Sequence, residues 1–172
     1  NGLFRVYLGA NPVNPLEKGA AEAAAQTFAV NLQEDMLIDA DEMKAMLDGG
    51  TVLVDNRTAD QYLGVNRHGK AKSAGTIPSA INLPQSWMTQ NGGGMFRDSE
   101  TLAKLYEAAG VPTEGDQVSF CNTGHWASTN WFVLSQVMGH DNVRLYDASM
   151  TGWSFDPSRP LKTGKGLLDA VG

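Results

Sequence analysis

From Asp39 to Ala148 short apolar runs alternate with stretches of helical spacing, and this alternation restricts the chain to few architectures. DADEMKAMLDGG opens with Asp39 and Glu42 at capping-box spacing, puts Met43, Met46 and Leu47 at helical spacing and stops at Gly49-Gly50. TVLVDNR then reads as a strand carrying Asp55 and Arg57 at its end, and IPSAINLP as a short strand between prolines. DSETLAKLYEAAGV predicts a second helix with Leu102, Leu105, Tyr106 and Ala109 on one face and Gly110 closing it. DQVSFCN is a strand, ASTNWFVLSQVMG a helix whose Ala127, Trp131, Leu134 and Met138 share a face, and NVRLYDA the last strand. Short strands joined by helices point to an α/β domain with a mostly parallel central sheet flanked by helices.

The 172 residues suffice for one domain of ordinary size with some chain left over. That domain is expected over residues 35–172, because residues 1–34 do not fit the alternation. Within them LFRVYLG reads as a strand, and EKGAAEAAAQTF as a helix or an ordered linker. FRVY (Phe4 to Tyr7) echoes VRLY (Val143 to Tyr146), and a Pro-Leu pair follows each, Pro15-Leu16 and Pro160-Leu161. Two readings stand: the tail of an upstream copy of the same domain with its linker, or a chance match.

A formal net charge of −6 argues against nucleic acid as a partner, since phosphate binding needs a basic face. The one basic cluster, RHGKAK with Arg67, His68, Lys70 and Lys72, is either a solvated loop or a rim that attracts small anions. There is no apolar run of about 18 residues, so no transmembrane helix and no membrane partner are expected. Nothing at the start reads as a signal or transit peptide. The first residue, Asn1, slightly favours a processed, periplasmic protein over a cytoplasmic one, and a trimmed chain explains it equally.

Cys121 is the only cysteine, so no internal disulfide forms. It stands at the carboxyl end of a predicted strand, where parallel α/β sheets bind ligands. A helix is expected five or six residues later, and the backbone between can curl so that several N–H groups converge on the sulfur. Gly124 permits the curl, and the helix N-terminus adds partial positive charge; amides and dipole both favour thiolate over thiol. The same cradle suits an anionic group attached to the sulfur. The alternative is a lone cysteine that packs as a small hydrophobe.

Four segments, VLVDNRTADQYLG, AGTIPSAINLP, VSFCNTGHWAS and VRLYDASMTGWS, stand in the order of the rhodanese family's motifs. Over about residues 35 to 160 the chain resembles that family of sulfurtransferases. The resemblance implies a rhodanese-like fold in which Cys121 takes a sulfane sulfur from a small anionic donor such as thiosulfate or 3-mercaptopyruvate. The persulfide then passes its sulfur to cyanide or a thiol, with ping-pong kinetics. Carried over, Asn122, Thr123, Gly124, His125, Trp126 and Ala127 form the active-site loop whose amides surround the persulfide, with no metal and no organic cofactor. A tandem arrangement is also implied, this chain being the C-terminal catalytic domain and an upstream rhodanese domain or chain supplying part of the cleft.

The loop departs from both donor signatures of the family. Asn122 and Thr123 stand where thiosulfate-using members often carry cations, and Gly124, His125 and Trp126 differ from the small-residue loop of mercaptopyruvate-using members. Gln61 replaces an arginine of tandem enzymes, and Thr76 and Ser79 replace the usual histidine and glycine. The donor therefore stays open. His125 is either a partner or proton carrier for the thiolate or a residue that orders the turn. Trp126 either walls the pocket or plugs the surface. Arg57 either holds an anionic substrate or pairs with a carboxylate or loop carbonyls, while Asp55 and Gln61 bind substrate or brace the loop. Cys121 and His125 alone do not make a zinc site. A cysteine phosphatase or arsenate reductase would need an arginine at the position of Ala127. A non-enzymatic binding or sensor module is the alternative to an enzyme.

Overall fold

The computed structural model describes residues 19–164 except 21, 23, 32, 92 and 93. Its main elements, in chain order, are α1 (Ala40–Ala45), β1 (Val52–Asp55), α2 (Ala59–Tyr62), β2 (Ile81–Asn82), α3 (Ser99–Ala108), β3 (Gln117–Phe120), α4 (His125–Phe132), β4 (Val143–Leu145) and α5 (Ser149–Trp153). Among the described residues the strands form one sheet in the order β2-β1-β3-β4, each neighbouring pair parallel. A parallel bridge from Leu37 to Leu145 extends the β4 edge. The α/β class with a mostly parallel sheet is the one the alternation predicts.

Both faces of the sheet are covered, which is why β1 and β3 are apolar or buried at nearly every position. Leu53, Val118 and Phe120 pack with Ile38, Met43, Tyr146, Met150 and Trp153 on one side. Val54 packs with Leu83, Leu102, Tyr106, Val133 and Leu134 on the other. The helices start where their caps dictate. Asp39 accepts from the N–H groups of Asp41 and Glu42, and Glu42 accepts in return from the Asp39 N–H at 2.8 Å. Asp98 accepts from the Thr101 N–H at 2.8 Å to open α3.

Two details differ from the periodicity. The strand expected in IPSAINLP shrinks to Ile81 and Asn82. The helix expected from Ala127 begins at His125, and after Phe132 it widens into a π-helix over Val133–Val137. The predicted strand LFRVYLG lies outside the described residues, and the described residues of EKGAAEAAAQTF (19, 20, 22 and 24–28) are exposed and carry no helix.

The last described turn is tied back to the middle of the chain. Thr76 and Lys162 exchange both backbone hydrogen bonds at 2.8 Å, and a Cβ on Gly75 would meet the Lys162 carbonyl oxygen at 2.5 Å. Among the described residues no helix is long and apolar enough to cross a membrane.

Candidate active site

Cys121 follows directly on β3 and is 1% exposed. Asn122, Thr123 and Gly124 make the turn, and α4 starts at His125, four positions after the cysteine. Gly124 holds φ at +81°, a conformation strained for any other residue, and a Cβ there would press on the Asp147 carboxylate. Among the described residues the N–H groups of Asn122, Thr123, His125, Trp126 and Ala127 donate to no protein acceptor. For the last three this is the ordinary condition of a first helical turn. The turn after the sulfur thus presents unspent donors and the positive end of an eight-residue helix.

The Gly124 N–H is committed elsewhere. It donates to the Ser149 Oγ at 3.3 Å, as the Cys121 N–H does at 3.0 Å, and that hydroxyl donates to the Tyr146 carbonyl at 2.9 Å. Ser149 is fully buried and holds φ at +51°, a left-handed conformation costly for a side chain other than glycine's. From here α5 docks on the turn: the Met150 and Thr151 N–H groups donate to the carbonyls of Cys121 and Asn122.

Cys121 opens on a cavity of about 220 Å³, lined also by Asn122, Thr123, His125 and Trp126, and by Gln61 and His68 from a separate part of the chain. Asn122 Nδ2 donates to Gln61 Oε1 at 2.8 Å, tying the turn to α2. His125 Nδ1 lies 3.4 Å from the Thr123 hydroxyl. Trp126 is 38% exposed and lines both this cavity and a smaller pocket formed with Asn56, Thr58, Pro84, Gln85 and Ser86. It is therefore a wall shared by two spaces.

Asp55, Arg57 and Ala127 do not line the cavity. Arg57, 1% exposed, binds the Asp55 carboxylate through Nε and an Nη and donates to the Gly75 carbonyl at 2.8 Å. Thr76, standing where the family usually has histidine, donates to Asp55 Oδ2 at 2.7 Å. Arg57 is thereby engaged by the Asp55 carboxylate and the Gly75 carbonyl. Ala127 buries its methyl group and contributes only its amide to the turn. Ser79, in place of a glycine, sits at φ +63°. The Tyr62 phenol donates to the Ala80 carbonyl, and burial, with the Asp55 charge adding, pushes its pKa up.

Three contributors escaped the reading of the turn itself. Ser149 was hidden because a serine in a positive-φ role leaves no composition signal. Asn130, fully buried in α4, donates to Ser119 Oγ at 2.7 Å and accepts from the Tyr106 hydroxyl, joining α3, α4 and β3 one turn behind the cysteine. His68 had a signal, the RHGKAK cluster, but its place in the cavity depends on tertiary structure. Among the described residues no group of three or more His, Cys, Asp or Glu side chains is placed to hold a metal ion.

Comparison with known proteins follows from this geometry. The profile of the Rhodanese-like domain matches residues 39–156. The thiosulfate sulfurtransferase of Corynebacterium glutamicum is 38% identical over 129 residues, 72% of this chain and 42% of that protein. The chain spans less than half the length of the curated relatives it matches. In fold it resembles EanB in complex with ergothioneine, with TM-score 0.81 at 22% identity over 95% of this chain and 40% of that one. It also resembles the Tum1 protein of Saccharomyces cerevisiae, with TM-score 0.66 at 21% identity over 77% and 48% of the two chains. A parallel sheet with a cysteine turn at its carboxyl end, and a profile match over more than half its length, make this chain a member of the rhodanese-like domain family.

Proposed function

We propose that the chain is a sulfurtransferase domain that carries sulfur as a persulfide on Cys121. The observation that supports this most is the meeting of a lone buried cysteine, a turn of uncommitted amides and a small cavity. Those amides and the α4 dipole stabilise negative charge first on the thiolate and then on the persulfide. The thiolate attacks the outer sulfur of a donor such as thiosulfate, the donor's S–S bond breaks, and sulfite leaves with the electron pair. With 3-mercaptopyruvate the C–S bond breaks instead, and the departing carbon takes a proton. In the second half-reaction cyanide or a thiolate attacks the outer persulfide sulfur, and Cys121 leaves as thiolate. Sulfur changes hands with no net oxidant, which is covalent catalysis in two steps.

In this reading Asn122 and Gln61 brace the turn, Trp126 limits the size of what enters, and His125 flanks the mouth. The name of the Corynebacterium glutamicum relative supports thiosulfate as donor, at 38% identity. Because the chain spans less than half of such relatives, a second rhodanese-like unit, upstream, completes the cleft in this proposal.

The test is an intact-mass spectrum after incubation with thiosulfate, and separately with 3-mercaptopyruvate, followed by a cyanide chase. Gain of one sulfur on Cys121, released as thiocyanate, is the expected result, with Cys121→Ser taking up none. A serine variant with undiminished turnover would overturn the mechanism.

A further inference from the structure

The RHGKAK cluster has no part in that chemistry so far, and the structure separates its four basic side chains. Arg67 donates to the Ala71 carbonyl, and the Lys72 ammonium lies 5.1 Å from the centre of the Phe155 ring. Lys70 is exposed and does not line the cavity. His68 alone of the four lines the space that holds Cys121. Its Nδ1 accepts the Lys70 N–H at 3.3 Å, so in the neutral ring the proton sits on Nε2. With Nδ1 accepting from its own loop, His68 offers an Nε2–H donor on the other side of the ring.

That donor has little competition. Among the described residues the cavity lining contains no lysine or arginine, and Arg57 is spent on Asp55 and Gly75. Apart from His68, the only described lining side chain able to carry positive charge is His125, whose Nδ1 lies near the Thr123 hydroxyl. In the function proposed above the turn amides serve the sulfur end of the donor, so a charge at the far end needs a second reader. A space of about 220 Å³ keeps that far end within a few bonds of the sulfur.

We propose that His68 binds the oxyanion at the end of the sulfur donor remote from the transferred sulfur, and so sets half-saturation in the loading half-reaction. The donor class is a small anion whose oxygens lie within a few bonds of the sulfane sulfur. The proposal rests on the Cys121 persulfide reading above, and the experiment separates the two.

Persulfide loading is followed by mass in single turnovers for wild type, His68→Ala and His68→Arg. The donors are thiosulfate and the persulfide of 2-mercaptoethanol, whose tail is uncharged. For His68→Ala the half-saturating thiosulfate concentration rises about tenfold or more, the worth of one charge-assisted hydrogen bond. Loading from the uncharged-tail donor stays within about twofold, which also reports an intact fold, and His68→Arg restores thiosulfate loading. Equal loss with both donors, or no loss with thiosulfate, overturns the assignment of His68 and leaves the persulfide reading standing. Wild-type protein that loads from neither of these donors nor from 3-mercaptopyruvate overturns both.

Discussion

The Ser149 hydroxyl holds both ends of the turn that begins at Cys121, accepting from the Cys121 N–H at 3.0 Å and from the Gly124 N–H at 3.3 Å. Its oxygen lies 4.0 Å from the sulfur, and its single proton goes to the Tyr146 carbonyl. The curvature of the turn is thus imposed from outside, by a residue of the segment after β4. Ser149→Ala strands two buried N–H groups and should cost about 1–3 kcal/mol. Urea unfolding measures that loss, and persulfide loading of the folded fraction should slow as the turn loosens. Ser149→Gly, which removes the same hydroxyl but relieves the positive φ, should be the milder change.

Gly124 and Asp147 form a second test. Gly124→Ala presses a Cβ on the Asp147 carboxylate and puts it in a left-handed conformation. The single variant should unfold the turn. Adding Asp147→Ala removes the side-chain clash and leaves the backbone strain, about 1–2 kcal/mol, with a tight 3.2 Å approach to the carbonyl oxygen at 147. Thermal melts of the single and double variants check the order; equal melting of the two would show that Asp147 is not the obstacle.

The buried Asp55–Arg57 pair, at 0% and 1% exposure, supports structure and stands outside the cavity. Removing either partner leaves an uncompensated charge, so Asp55→Ala and Arg57→Ala should each cost about 3–5 kcal/mol. The double change to Leu at 55 and Met at 57 should cost much less than the sum of the two. A denaturant double-mutant cycle reads this coupling.

Acid should destabilise the domain through exposed carboxylates. Hydrogen bonds from Thr58 and Asn66 lower the pKa of Asp60, those from Thr101 lower Asp98, and those from Ser158 lower Asp156, each from 3.8. A carboxyl depressed in the folded state binds fewer protons there than in the unfolded chain. Its contribution is therefore full above 3.8 and fades as pH falls through the folded pKa. Asp98→Asn keeps the cap of α3 but does not titrate, so its melting temperature should fall less steeply below about pH 4 than that of wild type.

What the sequence made legible is the layer plan. Leu53 and Val54 point to opposite cores, as a doubly covered strand requires, and Asp39 with Glu42 and Gly110 mark helix ends by local chemistry alone. The position of Cys121 at a strand end followed from the same pattern. The start of α4 did not, because Gly124 turns the chain against Asp147, a residue distant in sequence. For the same reason the partners of Arg57 stayed open, since the Gly75 carbonyl and the Thr76 hydroxyl that complete the Asp55 site lie farther along the chain. His68 reaches the cavity only because its loop folds back beside Gln61. Local signals reveal elements and turns, whereas the partners of a buried charge and the walls of a cavity come from residues far along the chain.

The Thr76–Lys162 clamp has a consequence for how the chain is made. A ribosome releases Thr76 long before Lys162, and domains begin to fold from their first-made parts. Until Lys162 emerges, Gly75 and Thr76, which supply a carbonyl to Arg57 and a hydroxyl to Asp55, lack the segment that pairs with them. The nascent domain can pair β1 with β2 and β3 before then, but it closes its charged centre only when almost the whole described chain has left the exit tunnel.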